Sequence, residues 1–125
     1  MAAEELLTST ANPAVVAAVR LHRARHRREE GRTLIEGPAV VAEAFASGAD
    51  VAELFGTSDE HRSLAETHGV TYRAVSDHVL SRVADTKTPR GPVAVLQIPP
   101  SLVPPTGRLL VAWGIADPGN CGTLV

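Results

Sequence analysis

The chain of 125 residues has a single cysteine, Cys121, so no disulfide can form within it, and a reducing compartment is the expected setting. Aromatic residues make up only 3% (Phe45, Phe55, Tyr72 and Trp113). The core must therefore be aliphatic, and the composition argues against a single-strand binder built on an aromatic stacking platform. No apolar run reaches the roughly 18–20 residues that a bilayer span requires. The opening Met-Ala-Ala-Glu-Glu carries neither the basic nor the apolar part of a secretion signal. No membrane partner is expected, and the cytoplasm is the expected location. Lysine is nearly absent: Lys87 stands against eleven arginines.

Hydrophobic residues make up 44% and charged residues 21%, the composition of a globular domain rather than a disordered chain. The length fits one domain, or a small domain with a piece of another. The net charge of −2 conceals an asymmetry, because residues 20–32 carry six of the twelve basic residues and a local charge of +4. A basic segment on an acidic body points to a localised anionic partner.

Along the chain, residues 1–11 lack periodicity and read as a flexible tail. Asn12-Pro13 is a helix start, since Asn caps exposed N–H groups and Pro fits the first helical position. The helix is expected to run to Glu30 and stop at Gly31. At 100° per residue Val15, Val19, His22 and His26 share its inner face. Short β-prone and helical stretches then alternate: strand 33–36, helix 38–47, strand 51–55, helix 58–68, strand 70–75, helix 76–84, and strand 93–98 after the loop 85–91. Such alternation predicts an α/β domain over 12–98, its sheet covered by helices on its faces.

Residues 99–107 hold four prolines and read as a linker. The apolar run 108–116 reads as a strand buried in a parallel sheet. Asp117–Gly122 follows as a tight turn, with a helix beginning at Thr123. A buried parallel strand needs neighbours, so 108–125 is expected to open a second domain, and the chain to be the N-terminal part of a longer protein.

The turn Asp117–Gly122 lies where ligands bind in open α/β sheets, at the carboxyl end of a strand. Turn chemistry alone also selects Asp, Pro, Gly and Asn, so both readings hold at this point. It is neither a dinucleotide fingerprint nor a P-loop. On the first helix, Arg20, Arg23 and Arg27 fall within about 60° of one another, with Arg25, Arg28 and Arg32 as a second group. Such stripes suit RNA phosphates, which the guanidinium fork contacts with two parallel bonds, or else they are a solvated face paired with acids. The loop 86–91 brings Lys87 and Arg90 to a turn that fits either an RNA backbone or a plain strand entry. His22 and His26 have a metal-compatible spacing but no further ligand type at a suggestive distance, so a partly buried seam is expected. His61 and His68 read as wet surface, Ser76 as a helix cap, and Cys121 as a small packing residue.

In order, Asn12-Pro13, Arg28, Leu34-Ile35-Glu36-Gly37, Thr88-Pro89-Arg90-Gly91 and Asp117-Pro118-Gly119-Asn120-x-Gly122 resemble the SpoU/TrmH family of RNA 2′-O-ribose methyltransferases. The basic residue frequent in the family soon after Asn-Pro is unmatched, position 16 being Val. The resemblance implies a three-layer α/β/α RNA-binding domain, similar to ribosomal proteins that bind kinked RNA, followed by the start of a knotted α/β catalytic domain that dimerises. It implies S-adenosylmethionine as methyl donor of the longer protein, with the donor-holding motifs outside this chain. It implies rRNA or tRNA as partner, contacted by Arg20, Arg23, Arg27, Arg28, Lys87 and Arg90. Asn120 would orient an arginine that falls just beyond Val125, and the chain alone would be inactive. The rival expectation is a stand-alone RNA-binding module; a third is another nucleotide-binding α/β enzyme.

Overall fold

A computed structural model of the chain describes residues 5–100, 106–108 and 110–124. Four strands form one sheet: β1 (Arg32–Glu36), β2 (Val51–Gly56), β3 (Thr71–Ala74) and β4 (Val93–Gln97). Their spatial order is β1-β4-β2-β3. β4 is antiparallel to both neighbours, and β2 pairs with β3 in parallel. The helices are α1 (Pro13–Arg20), α2 (Ala24–Glu30), α3 (Pro38–Ala46), α4 (Asp59–Thr67), α5 (Asp77–Ala84) and α6 (Pro118–Thr123).

Successive side chains of a strand point to opposite faces, and this builds the layers. On one face Val93, Val95 and Phe55 meet Val15, Ala18 and Leu21 of the α1 region and Val79, Leu80 and Val83 of α5. On the other, Ala94, Leu54 and Tyr72 meet Val41 of α3 and Ala65 of α4. The three-layer α/β/α sandwich expected from the alternation is present, and its core is aliphatic but for Phe55 and Tyr72. Each fully buried Val, Leu or Phe contributes about 1.5–3 kcal/mol. Side chains of Asn12, Ser58 and Ser76 accept from backbone N–H groups at the starts of α1, α4 and α5, as their sequence positions predict.

Several expectations change. The single helix over 12–30 is two, because α1 ends at Arg20 and the chain turns before α2. Leu21, His22 and Arg23 each bond back three residues, to Ala18, Val19 and Arg20, so the helical ladder tightens and breaks there. The turn buries Leu21, 2% exposed, in the core. The tail is not wholly free either: Leu7 bridges Val75 in parallel beside β3 and is held by Leu7 N–H to Ala74 and Ser76 N–H to Leu7. Residues 1–4 of that tail and residues 101–105 of the proline-rich segment lie outside the described residues.

The strand expected at 108–116 is not formed among its described residues, and Leu109 lies outside them. A strand is defined by a neighbour that takes its hydrogen bonds, and among the described residues no strand or bridge pairs with this run. Leu110, Val111 and Trp113 are 75%, 69% and 94% exposed. The turn 117–122 is instead a helix: Asp117 caps α6, its carboxylate accepting from the N–H groups of Gly119 and Asn120.

Candidate functional site

The strand directions fix where a site can form. β1, β2 and β3 run the same way and β4 runs opposite, so three strand carboxyl ends and the loop entering β4 lie at one end of the sheet. The starts of α3, α4 and α5 follow there, which places several helix N-termini at the same end. A cleft of about 880 Å³ opens between them, lined among others by Glu36, Pro38, Thr57, His61, Ser81, Lys87, Thr88 and Arg90.

Local sequence explains its walls. Gly37, at φ 101°, lets the chain leave β1 sharply, and Pro38 takes the first position of α3. The N–H of Gly37 donates to the Pro92 carbonyl at 3.0 Å, and the N–H of Arg90 donates to Oε1 of Glu36 at 2.9 Å. Glu36 thus ties the 85–91 loop to the sheet and sets the Lys87 and Arg90 side chains, both exposed, at the rim.

His61 stands in the wall rather than on a wet surface. Its ring crowds Gly56 so closely that a β-carbon there would lie 2.6 Å from His61 Cβ and 2.9 Å from Nδ1. Nδ1 accepts from the Thr57 N–H at 3.3 Å. A backbone N–H only donates, so the proton of the neutral ring sits on Nε2. Burial holds the imidazole below its ordinary value of 6.5, with the Glu60 carboxylate opposing. His68, by contrast, is exposed and stacks on Phe45, ring centroids 4.0 Å apart.

A second hollow, of about 420 Å³, lies on the other flank of α5, where the α1–α2 turn meets that helix. Thr10, Val16, Val19, Arg20, His22, Arg23, His26 and Arg82 line it. His22 Nε2 lies 2.7 Å from the Val83 carbonyl oxygen and pins the turn to α5. Both histidines are half-buried, as the seam reading expects, and their ring nitrogens take polar partners: His26 Nδ1 faces Arg20 at 3.3 Å and Glu29 at 3.5 Å. No group of three metal-ligating residues occurs among the described residues.

The break between α1 and α2 splits the expected arginine stripe. Arg20 and Arg23 remain together in the hollow, but Arg27 turns back and donates to the carbonyls of Leu21 and His22 at 2.9 and 2.8 Å. It caps the end of α1 through Nη1, which gives that nitrogen a structural role. Arg28 is exposed, and Arg25 pairs with Glu29 at 2.7 Å. Asn120 and Cys121 are both exposed on α6, so Cys121 is not the buried packing residue that the sequence suggests. The sequence placed His61 on a wet surface and did not mark Ser81 or Arg82, because each is an ordinary helix residue until the fold supplies its neighbours.

Comparison with known proteins supplies the family. Residues 12–94 match the model of the MRM3-like substrate binding domain. The chain is 34% identical over 128 residues to a protein of Synechocystis sp. named an uncharacterized tRNA/rRNA methyltransferase, covering 95% of this chain and 47% of that one. It is 31% identical over 107 residues to the 23S rRNA (guanosine(2553)-2′-O)-methyltransferase RlmP of Bacillus subtilis, covering 85% and 43%. A crystal structure of an RNA 2′-O ribose methyltransferase superposes with a TM-score of 0.74 at 26% identity, over 94% of this chain and 49% of that one. The AdoMet-bound rRNA methyltransferase of Sinorhizobium meliloti shares the fold, with a TM-score of 0.64 at 22% identity over 74% and 36%. The chain spans about half the length of the curated relatives it matches.

Proposed function

Because the chain belongs to the family of MRM3-like substrate binding domains, we propose that it is the RNA-recognition part of a longer RNA 2′-O-ribose methyltransferase acting on ribosomal or transfer RNA. The observation that carries this reading is the conjunction of the family match over 12–94 with the cleft at the strand ends, where Lys87 and Arg90 stand at the rim. Cations held at a sheet end by a hydrogen-bonded loop can fix an RNA backbone in one register, and backbone contacts set position rather than sequence. The domain division follows: 12–98 binds RNA, 99–107 links, and 108–125 begins the catalytic unit, whose dimerisation is part of the same proposal.

S-adenosylmethionine supplies the methyl group in this reading. The described residues between 106 and 124 are all exposed, so they do not fit a donor pocket, and no step is assigned to them. Asn120 is assigned the positioning of an arginine that follows in the longer protein. Positioning a weak ribose hydroxyl against the methyl group is the main gain such a site can offer. This chain alone is proposed to bind RNA without methylating it.

Two measurements test the proposal. The full product of the gene is assayed for transfer of a labelled methyl group to RNA; label that is lost on Asn120→Ala supports it. The 125-residue chain is titrated with RNA at several salt concentrations; Lys87→Gln/Arg90→Gln should weaken binding and flatten the salt dependence. Salt-sensitive RNA binding with no methyl transfer would leave a stand-alone RNA-binding module instead.

A further inference from the structure

We infer that the hollow between the α1–α2 turn and α5 is a second, separate anion site, which takes one backbone phosphate of the bound RNA through Arg23 and Arg82. This rests on the RNA-binding reading above and adds to it a site on the opposite flank of α5 from the cleft.

The argument begins with charge. Three guanidiniums, those of Arg20, Arg23 and Arg82, converge on one hollow. Arg20 has a carboxylate partner, Glu30, at 3.8 Å. Arg23 and Arg82 have no ion pair among the described residues, although the body outside residues 20–32 is acidic. Arg23 and Arg82, which have no carboxylate of their own among the described residues, repel each other, and a phosphate entering between them relieves that repulsion while accepting from both forks.

Geometry is the second strand of the argument. The two arginines come from chain segments 59 positions apart, and the hollow exists only because the turn is docked on α5. That docking is specific, since His22 donates from Nε2 to the Val83 carbonyl, next to Arg82. Arg27 stiffens the same turn by capping the Leu21 and His22 carbonyls. Val16 and Val19 line the hollow too, and the Thr10 side chain adds a hydroxyl. A pair of arginines held on a cross-linked turn and on the helix it is fastened to loses less freedom on binding than two on a free surface.

A phosphodiester suits this site better than a base, because the charged groups are all cations and none of the lining residues is an acceptor of carboxylate or amide type. Residue Ser81 faces the cleft and Arg82 the hollow, so an RNA strand that fills both crosses α5.

The test is fluorescence anisotropy of the whole chain with a labelled single-stranded RNA and with a labelled ribosomal stem-loop, at four salt concentrations. Arg23→Gln/Arg82→Gln should lower affinity roughly tenfold and reduce the slope of log K against log salt by about 0.7, the value for one phosphate on a single strand. Both side chains are exposed, so unchanged circular dichroism is expected. Glu66→Gln, on the exposed side of α4 and outside both the hollow and the cleft, is the control and should leave affinity within about twofold. Wild-type affinity and slope in Arg23→Gln/Arg82→Gln, with binding still lost in Lys87→Gln/Arg90→Gln, would overturn this inference and leave the RNA-binding reading intact. A wild-type chain that binds neither RNA would overturn both.

Discussion

The Nε2 atom of His22 lies 2.7 Å from the main-chain oxygen of Val83, 61 residues further along the chain. A carbonyl oxygen only accepts, so His22 donates, and the bond fastens the α1–α2 turn to the end of α5. Replacing His22 with Ala removes the donor and leaves a part-buried carbonyl unpaired. The expected loss is about 1–2 kcal/mol in urea unfolding. The same variant should also widen the hollow and lower RNA affinity without touching a charge. Full stability in His22→Ala would show the turn to be held by Leu21 and Arg27 without it.

Gly56 is required for a different reason. Its backbone has no positive φ, but a β-carbon would meet His61 Cβ at 2.6 Å and Tyr72 Cε2 at 2.9 Å. Gly56→Ala should therefore destabilise by about 1–3 kcal/mol through overpacking and shift the His61 imidazole signals in an NMR spectrum. Gly69 offers the contrast, with φ +66° and open space around it. Gly69→Ala should cost about 1–2 kcal/mol of backbone strain and leave the His61 signals where they are. An undisturbed His61 in Gly56→Ala would mean that α4 can give way.

His61 makes the fold sensitive to acid. Its folded pKa lies below the ordinary 6.5, because burial disfavours the imidazolium more than Glu60 favours it. The unfolded chain therefore binds the proton more readily. The contribution of His61 to stability is complete above pH 6.5 and is lost as pH falls through the folded value. A titration of the His61 ring followed by NMR should show a midpoint under 6.5, and His61→Gln should flatten the fall in stability on the acid side. A midpoint above the ordinary value would mean that the ring is solvated and paired with Glu60 instead.

Much of this fold is written locally, and the exceptions share one cause. The strand at 33–36 and the helices beginning at Asn12, Ser58 and Ser76 carry their own signals: β-prone residues, capping side chains and stopping glycines. The break at Leu21–Arg23 carries none, because helical periodicity runs through it. It is imposed from a distance, by the burial of Leu21 and the bond from His22 to Val83. Leu7 is placed by a bridge to Val75 that no spacing announces. The same holds for the sites. Lys87 and Arg90 could be picked out as cations in a short loop, and the structure puts both at the cleft. Arg82 could not, since its partners Arg20 and Arg23 are brought to it only by tertiary packing. Arg27 shows the reverse, a sequence-perfect member of a stripe whose guanidinium the fold uses on its own backbone.

Trp113 offers a direct reading of the apolar run that forms no strand. It is the chain's only tryptophan, 94% exposed, with Leu110 and Val111 exposed beside it. Nearly continuous apolar sequence without ladder partners leaves a contiguous sticky segment, which in a finished sheet would be covered on both faces. In the 125-residue chain Trp113 should emit as a water-exposed indole and be quenched by acrylamide almost as readily as free tryptophan. The dye ANS should brighten in its presence, and Leu110→Asp/Val111→Asp should abolish the brightening without changing the unfolding midpoint, since neither residue belongs to the packed clusters. In the full gene product, the emission should shift to the blue and the quenching should fall, because neighbouring strands would then cover the segment. A blue-shifted, protected Trp113 already in the short chain would mean that the run has found a partner within it, or in a second copy, and would remove the case for a catalytic unit beginning at 108.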